Sequence, residues 1–90
     1  MDLEEIRQKI IDLPDWTLAD DGKSISRQWH LADFAEALQL ANKIGNLAEE
    51  AQHHPDLLVS WSKLIATLTT HDAGGLSEKD FELAGKINTI

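Results

Sequence analysis

Apolar residues at the start of the chain recur at the spacing of a helix. They are Leu3, Ile6, Ile10 and Leu13. Acidic residues fill the first turn, where the helix dipole favours negative charge. Pro14 disfavours a helical conformation at the residue before it. The pattern therefore predicts a first helix over residues 2–12 and a turn at Pro14.

Two stretches then alternate apolar and polar residues, which is the period of a β-strand. The first starts at Trp16 and the second runs over residues 25–31, with turn-forming residues between them. The pattern predicts a β-hairpin whose second strand places Trp29 on one face and His30 on the other. We therefore expect His30 to be a solvated strand residue rather than a catalytic one.

The longest helical pattern begins after Asp33, a good capping residue, and continues to about Gln52. Its apolar residues form an arc that is wider than a single sheet contact requires. They are Phe34, Ala37, Leu38, Leu40, Ala41, Ile44, Leu47, Ala48 and Ala51. The excess apolar surface fits either a contact with another subunit or a helix buried deeply in a small core.

Strand-like alternation returns over residues 57–61 and 64–70, joined by a tight connection. The alternation places His71 at the end of the last strand, on the less apolar of its two faces. Ser77 and Asp80 then have nearly the spacing and chemistry of a capping box, which predicts a third helix. We interpret Lys79 and Asp80 as a solvated helix start and a cap.

The predicted order is α-β-β-α-β-β-α. An antiparallel four-stranded sheet with three helices on one face satisfies this order, so the predicted fold class is α+β. Large aromatic residues in alternating strands usually pack inside, so Trp16, Trp29 and Trp61 are predicted to lie in the core.

Length and composition indicate one soluble domain over residues 1–90, with 42% hydrophobic and 27% charged residues. The net charge of −8 disfavours direct binding of DNA or RNA, whose affinity comes largely from clusters of Lys and Arg. The absence of cysteine excludes disulfides and thiolate catalysis. No segment has the pattern of a secretory signal or a membrane span, so we predict a cytoplasmic protein.

Candidate chemistry lies in His53, His54 and His71. Pro55 forces the residue before it toward an extended conformation, so the two adjacent imidazoles leave the backbone in different directions. One can enter a pocket while the other hydrogen-bonds a substrate or a carboxylate such as Asp56. Since histidine exchanges protons near neutral pH, three converging imidazoles indicate acid–base catalysis.

The histidines allow two other interpretations. A histidine pair at the end of a helix is often only a favourable interaction with the helix dipole. Three histidines can also bind zinc, but adjacent histidines rarely reach one ion together, and the chain lacks the HxH and HExxH spacings. We therefore favour acid–base catalysis without a metal.

Four features occur together in this chain: DLPDW near the start, the tetrapeptide HHPD, a strand pair, and the segment TTHDAGGLSEKDFELA. With this combination the chain resembles the pterin-4a-carbinolamine dehydratase family. The resemblance implies an α+β fold, no cofactor, and dehydration of 4a-hydroxytetrahydropterin to quinonoid dihydropterin in tetrahydrobiopterin recycling. It implies catalytic roles for His53, His54 and His71. Substrate-binding roles fall on Asp56, Asp72 and Lys79.

The resemblance also implies a homodimer or homotetramer and a small-molecule pterin as the partner. An animal member of the family acts as a dimerisation cofactor of a transcription factor, so a role in binding another protein is one alternative. A pterin-binding role in molybdenum-cofactor metabolism is another.

Overall fold

The computed structural model describes all of residues 1–90. Its elements are α1 (Leu3–Ile11), β1 (Thr17–Leu18), β2 (Ile25–His30), α2 (Phe34–Ala51), β3 (Asp56–Ser60), β4 (Lys63–Leu68), a short 3₁₀ helix (His71–Ala73) and α3 (Glu78–Ile87). The α+β class and the order α-β-β-α-β-β-α are confirmed.

The helices begin where the sequence supplies capping side chains. The Asp33 carboxylate accepts a hydrogen bond from the Glu36 N–H at 2.9 Å, and Asp2 caps α1 in the same way. Helix α2 ends at Gln52, which has φ 53° and ψ 40°. This left-handed conformation turns the chain sharply while the Gln52 N–H still bonds to the last helical turn. The end of α2 therefore directs His53 away from the helix.

The four strands form one antiparallel sheet in the order β1-β2-β4-β3. Strand β4 lies between β2 and β3, and the pair Ser60↔Lys63 closes the turn made by Trp61 and Ser62. Strand β3 pairs only with β4, so one backbone edge of β3 has no strand partner. The other edge strand, β1, is two residues long.

The core lies between one face of the sheet and the helices. On β4, Leu64, Ala66 and Leu68 have no exposed surface, whereas the intervening Ile65 and Thr67 are partly exposed. The predicted alternation on β4 is therefore confirmed. Covering one face of the sheet leaves the other to solvent, in agreement with the mostly polar residues on that face.

The tryptophans do not all behave as predicted. Trp16 is 4% exposed and Trp29 packs against the core, with the two rings edge to face at 6.3 Å. Trp61, however, is 71% exposed, so its predicted core position is wrong. The physical reason is that Trp61 lies in the turn after β3, where strand alternation no longer directs a side chain into the core.

Helix α2 does not bury its whole apolar arc. Ala37, Ile44 and Ala48 are buried, but Phe34 and Leu38 are 47% and 46% exposed. Part of the excess apolar surface thus stays uncovered. None of the three helices combines the length and the apolar character that a membrane span requires.

Candidate active site

Three histidines converge on a cavity of about 340 Å³, formed where α2 leads into β3 and where β4 leads into α3. The cavity is lined by Gln52, His53, His54, Thr69, Thr70, His71, Asp72 and Lys79, none of which is hydrophobic. Its volume falls within the range of small-molecule sites, about 300–1,000 Å³. The structure therefore brings together His53, His54 and His71, as predicted from the sequence.

His53 is fixed by a buried carboxylate. Its Nε2 lies 2.5 Å from Oδ1 of Asp80, and the two side chains are 12% and 0% exposed. Asp80 belongs to the first turn of α3, where the helix dipole stabilises negative charge. Lys79 is exposed and Asp80 caps α3, as predicted, but Asp80 is also buried, because the start of α3 packs against the end of α2. The contact orients the His53 ring at the cavity wall.

The second oxygen of Asp80 is also fully bonded. Oδ2 accepts hydrogen bonds from the Thr70 hydroxyl at 2.8 Å and from the Ser77 N–H at 3.0 Å. Since the Thr70 hydroxyl donates to Asp80, it accepts from the Ser77 hydroxyl at 2.7 Å. A buried carboxylate is stable only when its oxygens are paired in this way. The predicted capping role of Asp80 is thus accompanied by a second role, which is to hold His53.

His54 has a carboxylate partner of a different kind. Its Nε2 bonds to Oε2 of Glu49, and the two side chains are 59% and 72% exposed. Glu49 lies in the last turn of α2, and the chain reversal at Gln52 brings His54 back to it. The second imidazole is therefore paired at the surface, where solvent weakens an ion pair.

His71 has no hydrogen-bond partner for its ring and starts the short 3₁₀ helix. Strand β4 ends at Leu68, so the alternation of the strand does not position His71 as predicted. Instead, Thr70 and Gly75 form an isolated bridge that closes the intervening residues into a small loop. The Gly74 φ of 69° lets the chain reverse within this loop. His71 is thus the one unpaired imidazole at the cavity.

The remaining predicted site residues divide into two groups. Asp72 and Lys79 line the cavity and are exposed. Asp56 starts β3, is exposed, and lies outside the lining of the cavity. His30 is exposed as predicted, and its Nε2 lies 3.1 Å from the Gln28 amide. No group of three or more His, Asp or Glu side chains is arranged to hold a metal ion.

The carboxylates of Asp80 and Glu49 were missed by the sequence analysis. Asp80 is 27 residues from His53, and its capping pattern already accounted for an acidic residue there. Glu49 is five residues before His54, a spacing that would not bring the two side chains together in a continuous helix. The one signal in the sequence was Pro55, which requires that α2 end before His54 and so allows the chain to turn between Glu49 and His54.

The arrangement is suited to moving protons. Three imidazoles and the Lys79 ammonium face one cavity in a chain of net charge −8, and Asp72 is the one carboxylate in the lining. A carboxylate that holds an imidazole fixes its orientation and stabilises the imidazolium that forms during catalysis. A bound molecule would therefore meet two oriented imidazoles and one unpaired imidazole.

Sequence comparison identifies a family that extends over the whole chain. The family described as Pterin 4 alpha carbinolamine dehydratase matches residues 1–90. A Cyanothece protein is 45% identical over 86 residues, which cover 96% of this chain and 87% of that protein. A Picosynechococcus protein is 42% identical, with 96% and 91% covered. Both relatives carry the name "Putative pterin-4-alpha-carbinolamine dehydratase".

Solved structures share the fold. A Brucella melitensis protein described as a transcriptional coactivator/pterin dehydratase superposes with a TM-score of 0.91 at 27% identity, covering 99% of this chain and 95% of that one. A pterin dehydratase-like protein described as a RuBisCO assembly factor in the α-carboxysome has a TM-score of 0.69 at 14% identity, with 83% and 87% covered. The second similarity concerns the fold alone.

Proposed function

This chain belongs to the pterin-4a-carbinolamine dehydratase family, and we propose that it dehydrates 4a-hydroxytetrahydropterin to quinonoid dihydropterin and water. One observation carries the proposal. His53, His54 and His71 face a single polar cavity, and carboxylates hold two of the three imidazoles.

The reaction needs an acid and a base at neighbouring atoms of the substrate. The hydroxyl group leaves from a ring carbon that is bonded to a nitrogen carrying hydrogen. Protonation of the hydroxyl breaks the C–O bond and releases water, while loss of the N–H proton forms the C=N bond. One imidazolium donates a proton to the hydroxyl, and one neutral imidazole accepts the proton from the nitrogen. The two imidazoles therefore exchange roles, and their total charge is the same before and after the reaction. General acid–base catalysis of this kind contributes about 10²–10⁴-fold.

We assign the acid and base roles to His54 and His71. Both are exposed at the cavity, and the His71 ring has no protein partner that would compete for the proton. His53, which Asp80 holds in place, would position the pterin ring by a hydrogen bond. Asp72 and Lys79 would contact the polar edge of the ring. Asp56 takes no part in this proposal, because its side chain does not line the cavity.

The setting of the reaction is part of the same proposal. The enzyme would act in the cytoplasm as a homodimer or homotetramer, without a cofactor, and would recycle tetrahydrobiopterin. The proton transfers described above need only groups that the chain itself supplies.

The test is the rate at which 4a-hydroxytetrahydropterin, generated in situ by a hydroxylase, loses water with and without the purified protein. Wild type should accelerate the reaction, whereas His54→Ala and His71→Ala should lower the enzymatic rate about 10²–10⁴-fold. His30→Ala is the matched control, because His30 is an exposed histidine outside the cavity. Near-normal rates in both cavity variants would disprove the assignment.

A protein-binding role is the second candidate. The observation that favours it is the pair of exposed apolar side chains on α2, Phe34 and Leu38. Binding of a protein partner that survives the simultaneous replacement of His53, His54 and His71 by alanine would support a function separate from catalysis. A pterin-binding role in molybdenum-cofactor metabolism would instead appear as pterin binding without acceleration of the dehydration.

A further inference from the structure

Thr70 belongs to two parts of the site at once. Its backbone N–H donates to the Gly75 carbonyl at 2.8 Å and so closes the base of the loop that carries His71. Its side-chain hydroxyl donates at 2.8 Å to Asp80, the carboxylate that holds His53. Thr70 also lines the cavity. A single residue therefore connects the loop of one imidazole with the holder of another.

The hydrogen bonds at the Thr70 side chain all run toward the carboxylate. A hydroxyl has one hydrogen, and Thr70 gives it to Oδ2 of Asp80, which can only accept. The hydroxyl of Ser77 must then donate to Thr70, at 2.7 Å. The Ser77 N–H donates to the same Oδ2 at 3.0 Å. Two donors therefore meet at Oδ2, and the hydroxyl behind Thr70 polarises and strengthens one of them.

These donors fix both the charge and the orientation of the Asp80 side chain. The side chain has no exposed surface, so protein groups must replace the hydrogen bonds of water. Two donors at Oδ2 and the N-terminus of α3 stabilise the ionised form. Because Thr70 and Ser77 occupy Oδ2, Oδ1 is the oxygen that meets His53.

An ionised Asp80 determines which nitrogen of His53 is left for a bound molecule. Since Oδ1 only accepts, the Nε2 atom 2.5 Å away carries the hydrogen. In the neutral ring the other nitrogen, Nδ1, then has a lone pair and is an acceptor. A tetrahydropterin has N–H groups along the edge of its ring, and these are the donors that Nδ1 can bind. Such a bond draws positive charge onto the imidazole, which the carboxylate stabilises.

We propose that Thr70 is a positioning residue, whose hydroxyl fixes the Asp80 carboxylate so that Nδ1 of His53 accepts a hydrogen bond from an N–H group of the substrate. The proposal rests on the pterin substrate proposed above. It also gives the cavity a means of selection. A ring that presents an unprotonated nitrogen at this place would set two lone pairs against each other, so the site would reject it.

The orientation of His53 is tested without substrate, by NMR of protein that carries nitrogen-labelled histidine. The chemical shifts of the two ring nitrogens show which of them holds the hydrogen, and His53→Gln identifies the signals. At about pH 9, where histidine is ordinarily neutral, wild type should show the hydrogen of His53 on Nε2. A wild-type ring with its hydrogen on Nδ1 would overturn the proposal.

Thr70→Val removes the hydroxyl but keeps the shape of the side chain. The freed carboxylate should no longer hold one form of the His53 ring, so the two nitrogen shifts should move toward each other. Thr70→Ser restores a hydroxyl and should restore the wild-type spectrum. Thr67→Val is the matched control and should change nothing, because Thr67 is a partly exposed residue of β4 outside the cavity.

Ser77→Ala provides a second variant at the same chain of hydrogen bonds. It removes the hydroxyl that donates to Thr70 but keeps the N–H that bonds to Asp80. The His53 shifts should therefore move in the same direction as in Thr70→Val, by a smaller amount. If Thr70→Val does not fold, as urea unfolding would show, Ser77→Ala decides the question. Unchanged His53 shifts in the folded variants would overturn the proposal.

Kinetics test whether Thr70 acts through His53. Thr70→Val should raise KM about tenfold, which is the effect of one hydrogen bond to a charged group, while kcat changes little because His54 and His71 remain. In a protein that already carries His53→Ala, the same substitution should have no further effect on KM. An equal factor in both backgrounds would show a purely structural role and would overturn the proposal.

The two proposals fail in different ways. If wild type accelerates the dehydration and the KM factors are equal in both backgrounds, Thr70 does not act through His53, and the proposed function stands. If wild type gives no acceleration, the pterin substrate is wrong. The NMR comparison then decides by itself whether Thr70 fixes the His53 ring.

Discussion

Asp80 and His53 form a nearly buried carboxylate–imidazole pair that joins the start of α3 to the end of α2. Nε2 of His53 lies 2.5 Å from Oδ1 of Asp80, and the Asp80 side chain has no exposed surface. The pair differs from the exposed contact between His54 and Glu49, although both consist of the same two chemical groups. Burial removes competing water, so the first contact should matter more both for stability and for the orientation of an imidazole.

Replacing Asp80 by Asn should lower the rate of dehydration. The amide keeps the shape of the carboxylate but has no negative charge to stabilise an imidazolium at His53. We expect a loss of about tenfold to a hundredfold, as for other groups that orient a functional histidine. Glu82→Gln, at an exposed position on the same helix, should leave the rate unchanged. Equal rates for Asp80→Asn and wild type would show that the pair is only structural.

Replacing Glu49 by Gln should have little effect on stability. Exposed ion pairs contribute about 0–1 kcal/mol, so urea unfolding of this variant should nearly match wild type. Asp80→Ala should instead lower the free energy of unfolding by about 1–3 kcal/mol, because it leaves the Thr70 hydroxyl and the Ser77 N–H without their acceptor. A larger loss for Glu49→Gln than for Asp80→Ala would contradict the ranking by burial.

Asn88 should be a determinant of stability outside the cavity. Its Oδ1 accepts hydrogen bonds from Trp16 Nε1 at 2.8 Å and from an Arg27 guanidinium nitrogen at 2.6 Å. Asn88→Ala leaves the N–H of a buried tryptophan unpaired, which should cost about 1–3 kcal/mol. Asn46→Ala, at an exposed position on α2, is the control for thermal unfolding. Identical Tm values would show that water replaces the lost acceptor.

Substitutions of Gln52 should follow the conformation of its backbone. The left-handed region costs roughly 1 kcal/mol or more for a residue with a side chain, and glycine escapes this penalty. Gln52→Gly also loses the hydrogen bond that the side-chain amide of Gln52 donates to the Glu49 carbonyl. The net gain in the free energy of unfolding should therefore be only a few tenths of a kcal/mol. Gln52→Val should be the least stable of the three proteins in urea. A glycine variant less stable than the valine variant would refute this explanation.

Local patterns predicted most of the fold. Asp33, Pro14 and the pair Ser77 and Asp80 marked where helices begin or end, because capping and proline act over a few residues. The apolar alternation of β4 correctly assigned its buried face. Each of these features depends on residues only a few positions apart, so the sequence alone is enough to predict it.

Relations between distant residues were harder to predict. The sequence analysis grouped the three histidines and named Asp56 as a carboxylate that one of the adjacent pair could bond. Pro55 instead leads directly into β3, whereas the left-handed turn at Gln52 brings His54 back to Glu49 and places His53 against Asp80. Trp61 was predicted to be buried because an apolar residue at this position continues the alternation of β3. The residue instead lies in the turn between β3 and β4.

The bridge between Thr70 and Gly75 gives His71 a different kind of attachment from the other two histidines. His53 and His54 are built into the junction of α2 and β3, whereas His71 is carried on a small loop that leaves and rejoins the fold at one point. Residues could be added to or removed from that loop without shifting β4 or α3, since a loop closed at its base is largely independent of the scaffold. The third imidazole is therefore the adjustable part of the site, and evolution can retune its reach by changing the length of this loop while the fixed pair stays as it is.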